Sequence, residues 1–126
     1  MLSYPMPRNI YIVDDDDAVR DSLRVLLESL GFEVKDFNSA RAFLAQRSLD
    51  STGCLLLDLH MPAMSGMDLL EHMRDSGTQL PTIVITGRSD SFLKERALRS
   101  GALAFIDKPV SDDALIQAIG RALGTV

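Results

Sequence analysis

Two adjacent aspartates, Asp14 and Asp15, close the apolar run IYIV at 10–13, and Asp58 closes another, CLLL at 54–57. Thr86 ends a third run, TIVI at 82–85, and Lys108 follows a fourth, ALAFI at 102–106. Four buried-strand candidates thus deliver a carboxylate, a hydroxyl or an ammonium at their C-terminal ends. In an open parallel α/β sheet those ends converge on one crevice, where ligands bind. Three acids, a hydroxyl and a lysine gathered there can hold a divalent cation and a phosphoryl group.

The chemistry follows from charge. Carboxylates about 5 Å apart repel by roughly 3 kcal/mol per pair at an effective dielectric of about 20. A raised pKa, a cation, or both must compensate. Hard oxygen ligands in a partly hydrated cleft suit Mg²⁺, for which Mn²⁺ can substitute. Asp58 is the candidate nucleophile, since a carboxylate can take a phosphoryl group to give an aspartyl phosphate. Lys108 would pair with one transferred oxygen and the Thr86 hydroxyl would donate to another, because phosphoryl transfer depends on positioning and charge neutralisation. Each group alone has an ordinary reading: Asp16 and Asp17 as helix caps, Lys108 as a surface cation, Thr86 as a β-branched strand residue. Their joint placement on four strand ends makes coincidence the poorer account.

The elements that must position these groups alternate. Asn9–Val13 reads as a strand and 18–30 as a helix, with Val19, Leu23, Leu26, Leu27 and Leu30 on one apolar face and Gly31 as its stop. Residues 32–37 alternate apolar with charged, as in a half-exposed edge strand, whereas CLLL and TIVI read as strands buried on both faces. Ser39 caps a short helix to about Gln46, 47–52 is loop, and the turn 60–66 leads into a helix ending near Asp75. Asp90 caps a helix to Ser100, ALAFI is the last strand, and Ser111 caps a final helix with Leu115, Ile116, Ile119 and Leu123 inward. Strict β/α alternation with short connections implies an α/β, doubly wound parallel sheet. The second strand ends in no reactive group, which fits the order 2-1-3-4-5, with Asp14, Asp15 and Asp58 around the switch point. Pro109 holds Lys108 extended, and trans is the expectation for the Lys108–Pro109 bond.

With 126 residues, 46% hydrophobic and 25% charged, the chain suits one domain, expected over 9–124 behind an N-terminal extension at 1–8, with no output domain in this chain. A net charge of −5 without a Lys/Arg cluster argues against nucleic-acid contact by this domain. Cys54, the sole cysteine, reads as a small buried hydrophobe. The start MLSYPMPR, with two prolines and no long apolar stretch, is not expected to act as a signal peptide, and no run of about 18 apolar residues is present to span a bilayer. A cytoplasmic location without membrane contact is the default expectation.

The set Asp14-Asp15, Asp58 with Met61-Pro62 and Gly66, Thr86, and Lys108-Pro109 resembles the receiver domain of bacterial two-component response regulators. IVDDD, DLHMPAMSG, IVITG and FIDKP are most similar to the FixJ-like subfamily. The resemblance implies a flavodoxin-like, CheY-like (βα)5 fold and a phosphorylation-switched signalling domain. Asp58 would accept phosphate from a sensor histidine kinase; Asp15, Asp58 and the His60 backbone carbonyl would ligate Mg²⁺, with Asp14 helping through water. Thr86 and Phe105 would form the switch pair, although Phe105 also reads simply as a core aromatic. The face formed by the fourth helix, fifth strand and fifth helix would change, for homodimerisation or control of a DNA-binding transcriptional output domain. Activity of its own would be limited to self-phosphorylation and slow autodephosphorylation. His60 and Arg88, each two positions beyond a site residue, are candidate modulators of acyl-phosphate hydrolysis.

Three positions depart from the family pattern: Phe105 for a frequent Tyr, Val110 for the Phe that typically follows Lys-Pro, and Ser91-Phe92-Leu93 at the fourth helix. Two other classes compete. A Mg²⁺-dependent aspartyl-phosphate phosphatase commonly carries a second acid two residues after its nucleophile, where this chain has His60. A flavodoxin-type cofactor module binds phosphate through a Ser/Thr/Gly-rich loop after the first strand, where this chain has four aspartates that would repel it.

Overall fold

The structure, a computed structural model, describes residues 9–46, 52–87 and 91–124. Among them, five strands alternate with five helices: β1 (Asn9–Val13), α1 (Asp17–Ser29), β2 (Glu33–Phe37), α2 (Ala40–Gln46), β3 (Cys54–Asp58), α3 (Gly66–Asp75), β4 (Thr82–Thr86), α4 (Ser91–Arg99), β5 (Ala104–Asp107) and α5 (Asp112–Leu123). All neighbouring strands pair in parallel, in the order β2-β1-β3-β4-β5. This is the doubly wound, flavodoxin-like arrangement that the alternating pattern implies.

Side chains on a strand alternate between faces, so each central strand feeds two cores. Tyr11, Val13, Leu55, Leu57 and Val84 join Phe43 of α2, Leu70 of α3 and Ala97 of α4. Ile10, Ile12, Leu56, Ile83 and Ile85 meet Leu23 and Leu27 of α1 and Leu115 and Ile119 of α5. Each fully buried Leu or Ile contributes roughly 1.5–3 kcal/mol, which makes the three central strands a rigid platform for whatever their ends carry. Cys54 lies inside the second core, and burial pushes its thiol up to about 12, so it is inert packing.

Local signals set the helix starts. Asp16 caps α1 by accepting from the Val19 amide, and Ser39 accepts from the Ala42 amide at 3.1 Å. Ser65 and Asp68 form a reciprocal capping box at α3, and Ser111 caps α5.

Several expectations need correction. The last strand begins at Ala104, not 102, and is half-buried rather than buried, because it is a sheet edge with one strand neighbour. Leu103 is 40% exposed, so its place in an apolar run does not reflect core burial. Ile116 points outward at 42% exposure and Ala118 takes its inner place, since 115, 118 and 119 share a helical stripe and 116 lies about 100° away. Leu30 falls outside α1 as its C-cap and is exposed. The Lys108–Pro109 bond is cis, against the trans expectation. The expected extension at 1–8, all but the last residue of the expected loop at 47–52, Arg88 and the Asp90 cap lie outside the described residues.

Candidate functional site

β1 and β3 are direct neighbours, with Val13 paired to Leu57, so the residues that follow each pair emerge side by side. Asp14 and Asp58 are 3% and 5% exposed, and Asp15 is exposed. One carboxylate oxygen from each of the three lies within 4.8 Å of the others. Lys108 Nζ reaches across from beyond β5, 3.1 Å from Asp14 Oδ2 and 3.7 Å from Asp58 Oδ2. One ammonium faces three carboxylates, leaving an excess of negative charge on hard oxygen donors. That donor set fits a divalent cation such as Mg²⁺.

The electrostatics are consistent with such crowding. Burial raises the Asp58 pKa and the Asp14 charge adds to it, while the His60 amide and Lys108 oppose the shift. Burial works to lower the Lys108 pKa, but its bond to Asp14 and the charges of Asp14, Asp58 and Asp16 outweigh this and raise it. Lys108 therefore stays protonated, with its ammonium donating to Asp14 and facing Asp58.

Backbone contacts fix the surroundings of Asp58. The His60 amide donates to Asp58 Oδ1 at 3.2 Å. A Cβ on Gly66 would stand 2.1 Å from the Asp58 carbonyl oxygen, so the loop after β3 can fold back this tightly only with glycine. Thr86 is fully buried at the end of β4, and its carbonyl accepts from the Lys108 amide at 2.9 Å. Phe105 is half-buried and packs against the core beneath α2, α3 and α4.

Asp14, Asp15, Asp58 and Lys108 are thus brought together, and Thr86 ends a strand adjacent to that of Asp58. Phe105 sits one strand further out, paired with Val84, and the His60 side chain is exposed. One neighbour escaped sequence reasoning: Arg20 donates from Nη1 to the Asp14 carbonyl at 2.8 Å. A lone cation one turn into a helix after an acidic run hints at such a bond. Its second partner, Asp36, becomes visible only once β1 and β2 are paired.

A family model described as the response regulator receiver domain matches residues 10–120. The response regulator protein TmoT of Ectopseudomonas mendocina is 44% identical over 114 residues, covering 90% of this chain and 52% of the relative. The transcriptional regulatory protein FixJ of Rhizobium meliloti (strain 1021) is 45% identical over 113 residues, 90% of this chain and 55% of the relative. A crystal structure of FixJ-N superposes with a TM-score of 0.84 at 42% identity, covering 100% of this chain and 98% of that one. This chain belongs to the response regulator receiver domains, the signalling domains of two-component systems. It spans about half the length of the relatives it matches. Among the described residues no helix is long and apolar enough to cross a membrane.

Proposed function

We propose that Asp58 accepts a phosphoryl group from the phosphohistidine of a sensor histidine kinase, and that the product switches the outer face of the domain. The observation that carries this reading is the lysine ammonium held 3.1 and 3.7 Å from two buried carboxylates. Two buried carboxylates sharing one ammonium leave uncompensated negative charge that is costly to bury, and a bound cation would offset it.

Asp14, Asp15, Asp58 and the His60 main-chain carbonyl would hold Mg²⁺, with Mn²⁺ as a substitute. Bound there, the ion supplies the neutralising charge that lets two anions approach each other. An Asp58 carboxylate oxygen attacks phosphorus, the phosphorus–nitrogen bond breaks, and the departing imidazole keeps the electron pair. Lys108 donates to one phosphoryl oxygen and the Thr86 hydroxyl to another. Phe105, packed on the same core as α4, follows the inward movement of Thr86. His60 and Arg88, two positions beyond Asp58 and Thr86, set how fast water removes the group. Beyond that slow loss the domain has no catalytic turnover.

The switch needs phosphate to favour the active arrangement by about 5.5 kcal/mol to go from 1% to 99% active. The responding surface is the α4-β5-α5 face, and it serves homodimerisation or release of a DNA-binding transcriptional domain elsewhere in the full-length regulator. Exposed Phe92 and Leu98 on α4, Leu103 before β5 and Ile116 on α5 support that assignment.

Incubation with a small phosphodonor and Mg²⁺ tests the reading. The parent should become labelled and Asp58→Asn should not. Label persisting in Asp58→Asn would place the acceptor elsewhere.

A further inference from the structure

Asp14 and Asp15 lie just past Val13, the last β1 residue paired with β2 and β3. Something other than the strand ladder must hold them, because their repulsion with Asp58 pushes the turn away from the crevice. The Asp14 amide still reaches the Phe37 carbonyl at 3.2 Å, but the Asp14 carbonyl accepts from Arg20 Nη1 at 2.8 Å. The same guanidinium donates from Nε to Asp36 Oδ2 at 3.1 Å and from Nη2 to Asp17. Arg24 Nη1 takes the other Asp36 oxygen at 2.6 Å, which keeps Asp36 from swinging away. One planar group therefore ties the end of β1 to the first turn of α1 and to β2.

We propose that Arg20 is a positioning residue for the cation site: by fixing the Asp14 carbonyl it sets where the Asp14 and Asp15 carboxylates stand relative to Asp58. It contacts neither the cation nor the phosphoryl group. Three acceptors in three fixed directions suit a guanidinium, and an ammonium cannot match that fork. The Asp14 side chain is itself held from within the turn, since the Asp16 amide donates to Asp14 Oδ1 at 2.9 Å. Lys108 holds the other oxygen, Asp14 Oδ2, at 3.1 Å from across the crevice, so a displaced carbonyl strains both contacts that set the carboxylate.

This inference rests on the proposed cation site, and the test separates the two. Mn²⁺ is titrated into the parent, Arg20→Gln and Arg20→Lys by calorimetry or by electron paramagnetic resonance. Arg20→Gln should weaken Mn²⁺ binding roughly tenfold or more, as loss of an outer-shell partner does. Arg20→Lys should not restore it, whereas labelling at saturating metal should return close to the parent rate. In metal-free protein the Asp16 amide should exchange faster in Arg20→Gln than in the parent. A folded Arg20→Gln with parental Mn²⁺ affinity would overturn the proposal, even with a lowered melting temperature, because Arg20 would then serve stability alone. If Arg20→Gln does not fold, Arg20→Lys decides by the same titration. A parent that binds no Mn²⁺ would overturn the cation site and this inference together.

Discussion

α1 and α4 flank the same sheet but are held in different ways. α1 buries Leu23 and Leu27 and is tied to β2 by two arginines sharing Asp36. α4 buries Ala97 alone, leaves Phe92 70% exposed, and meets α3 through the partly exposed Glu71–Arg96 pair. On the proposed reading, a site that crowds three acids needs a fixed wall, and a surface that responds to phosphorylation needs a loosely held one. The molecule places the first beside Asp14 and Asp15 and the second at the far edge of the sheet. Low local stability is where conformational change is drawn from.

The largest test of that contrast is in packing. Leu27→Ala should cost about 2–5 kcal/mol in urea unfolding, the range for a fully buried leucine. Phe92→Ala should stay within about 0.5 kcal/mol, as exposed positions do. Equal costs would break the comparison.

Next comes the strain carried by the fixed wall. Burial and the Asp14 charge hold the Asp58 pKa above its ordinary value. The folded state thus binds that proton more tightly than the unfolded chain, so the ionised carboxylate destabilises the fold at neutral pH. Asp58→Asn should raise the stability of metal-free protein by on the order of 1 kcal/mol. Excess Mg²⁺ should erase that advantage, because ligand binding then stabilises the parent selectively. Melting with chelator and with metal would show both effects; a less stable Asp58→Asn would mean that the crowding is fully relieved in the free protein.

The smallest effect belongs to the loose side. Glu71→Gln should cost less than about 1 kcal/mol, since an exposed pair contributes little. Hydrogen exchange should nonetheless quicken in α4 and leave α1 unchanged. Faster exchange in α1 would mean that the two helices are not independently held.

Much of this architecture was legible in the residues. CLLL and TIVI could be read as buried strands because a continuous apolar run suits a sheet covered on both faces, and β3 and β4 are buried throughout. The acids and Lys108 were legible because each follows such a run. The edges were harder: ALAFI is apolar, yet pairing begins only at Ala104, and composition does not reveal where a ladder starts. The inward stripe of α5 was misread at Ile116 because one large apolar residue off the stripe looks like one on it. Arg20 escaped for a different reason: its partners lie at positions 14, 17 and 36, and only the paired strands bring the last of these near.

Gly66 carries no functional group, yet the main chain of Asp58 passes so close that a methyl there would collide with it. An alanine at that position would silence the domain while sparing every acid, the lysine and the threonine. A screen scoring only lost signalling would then mistake a failure of clearance for a failure of chemistry.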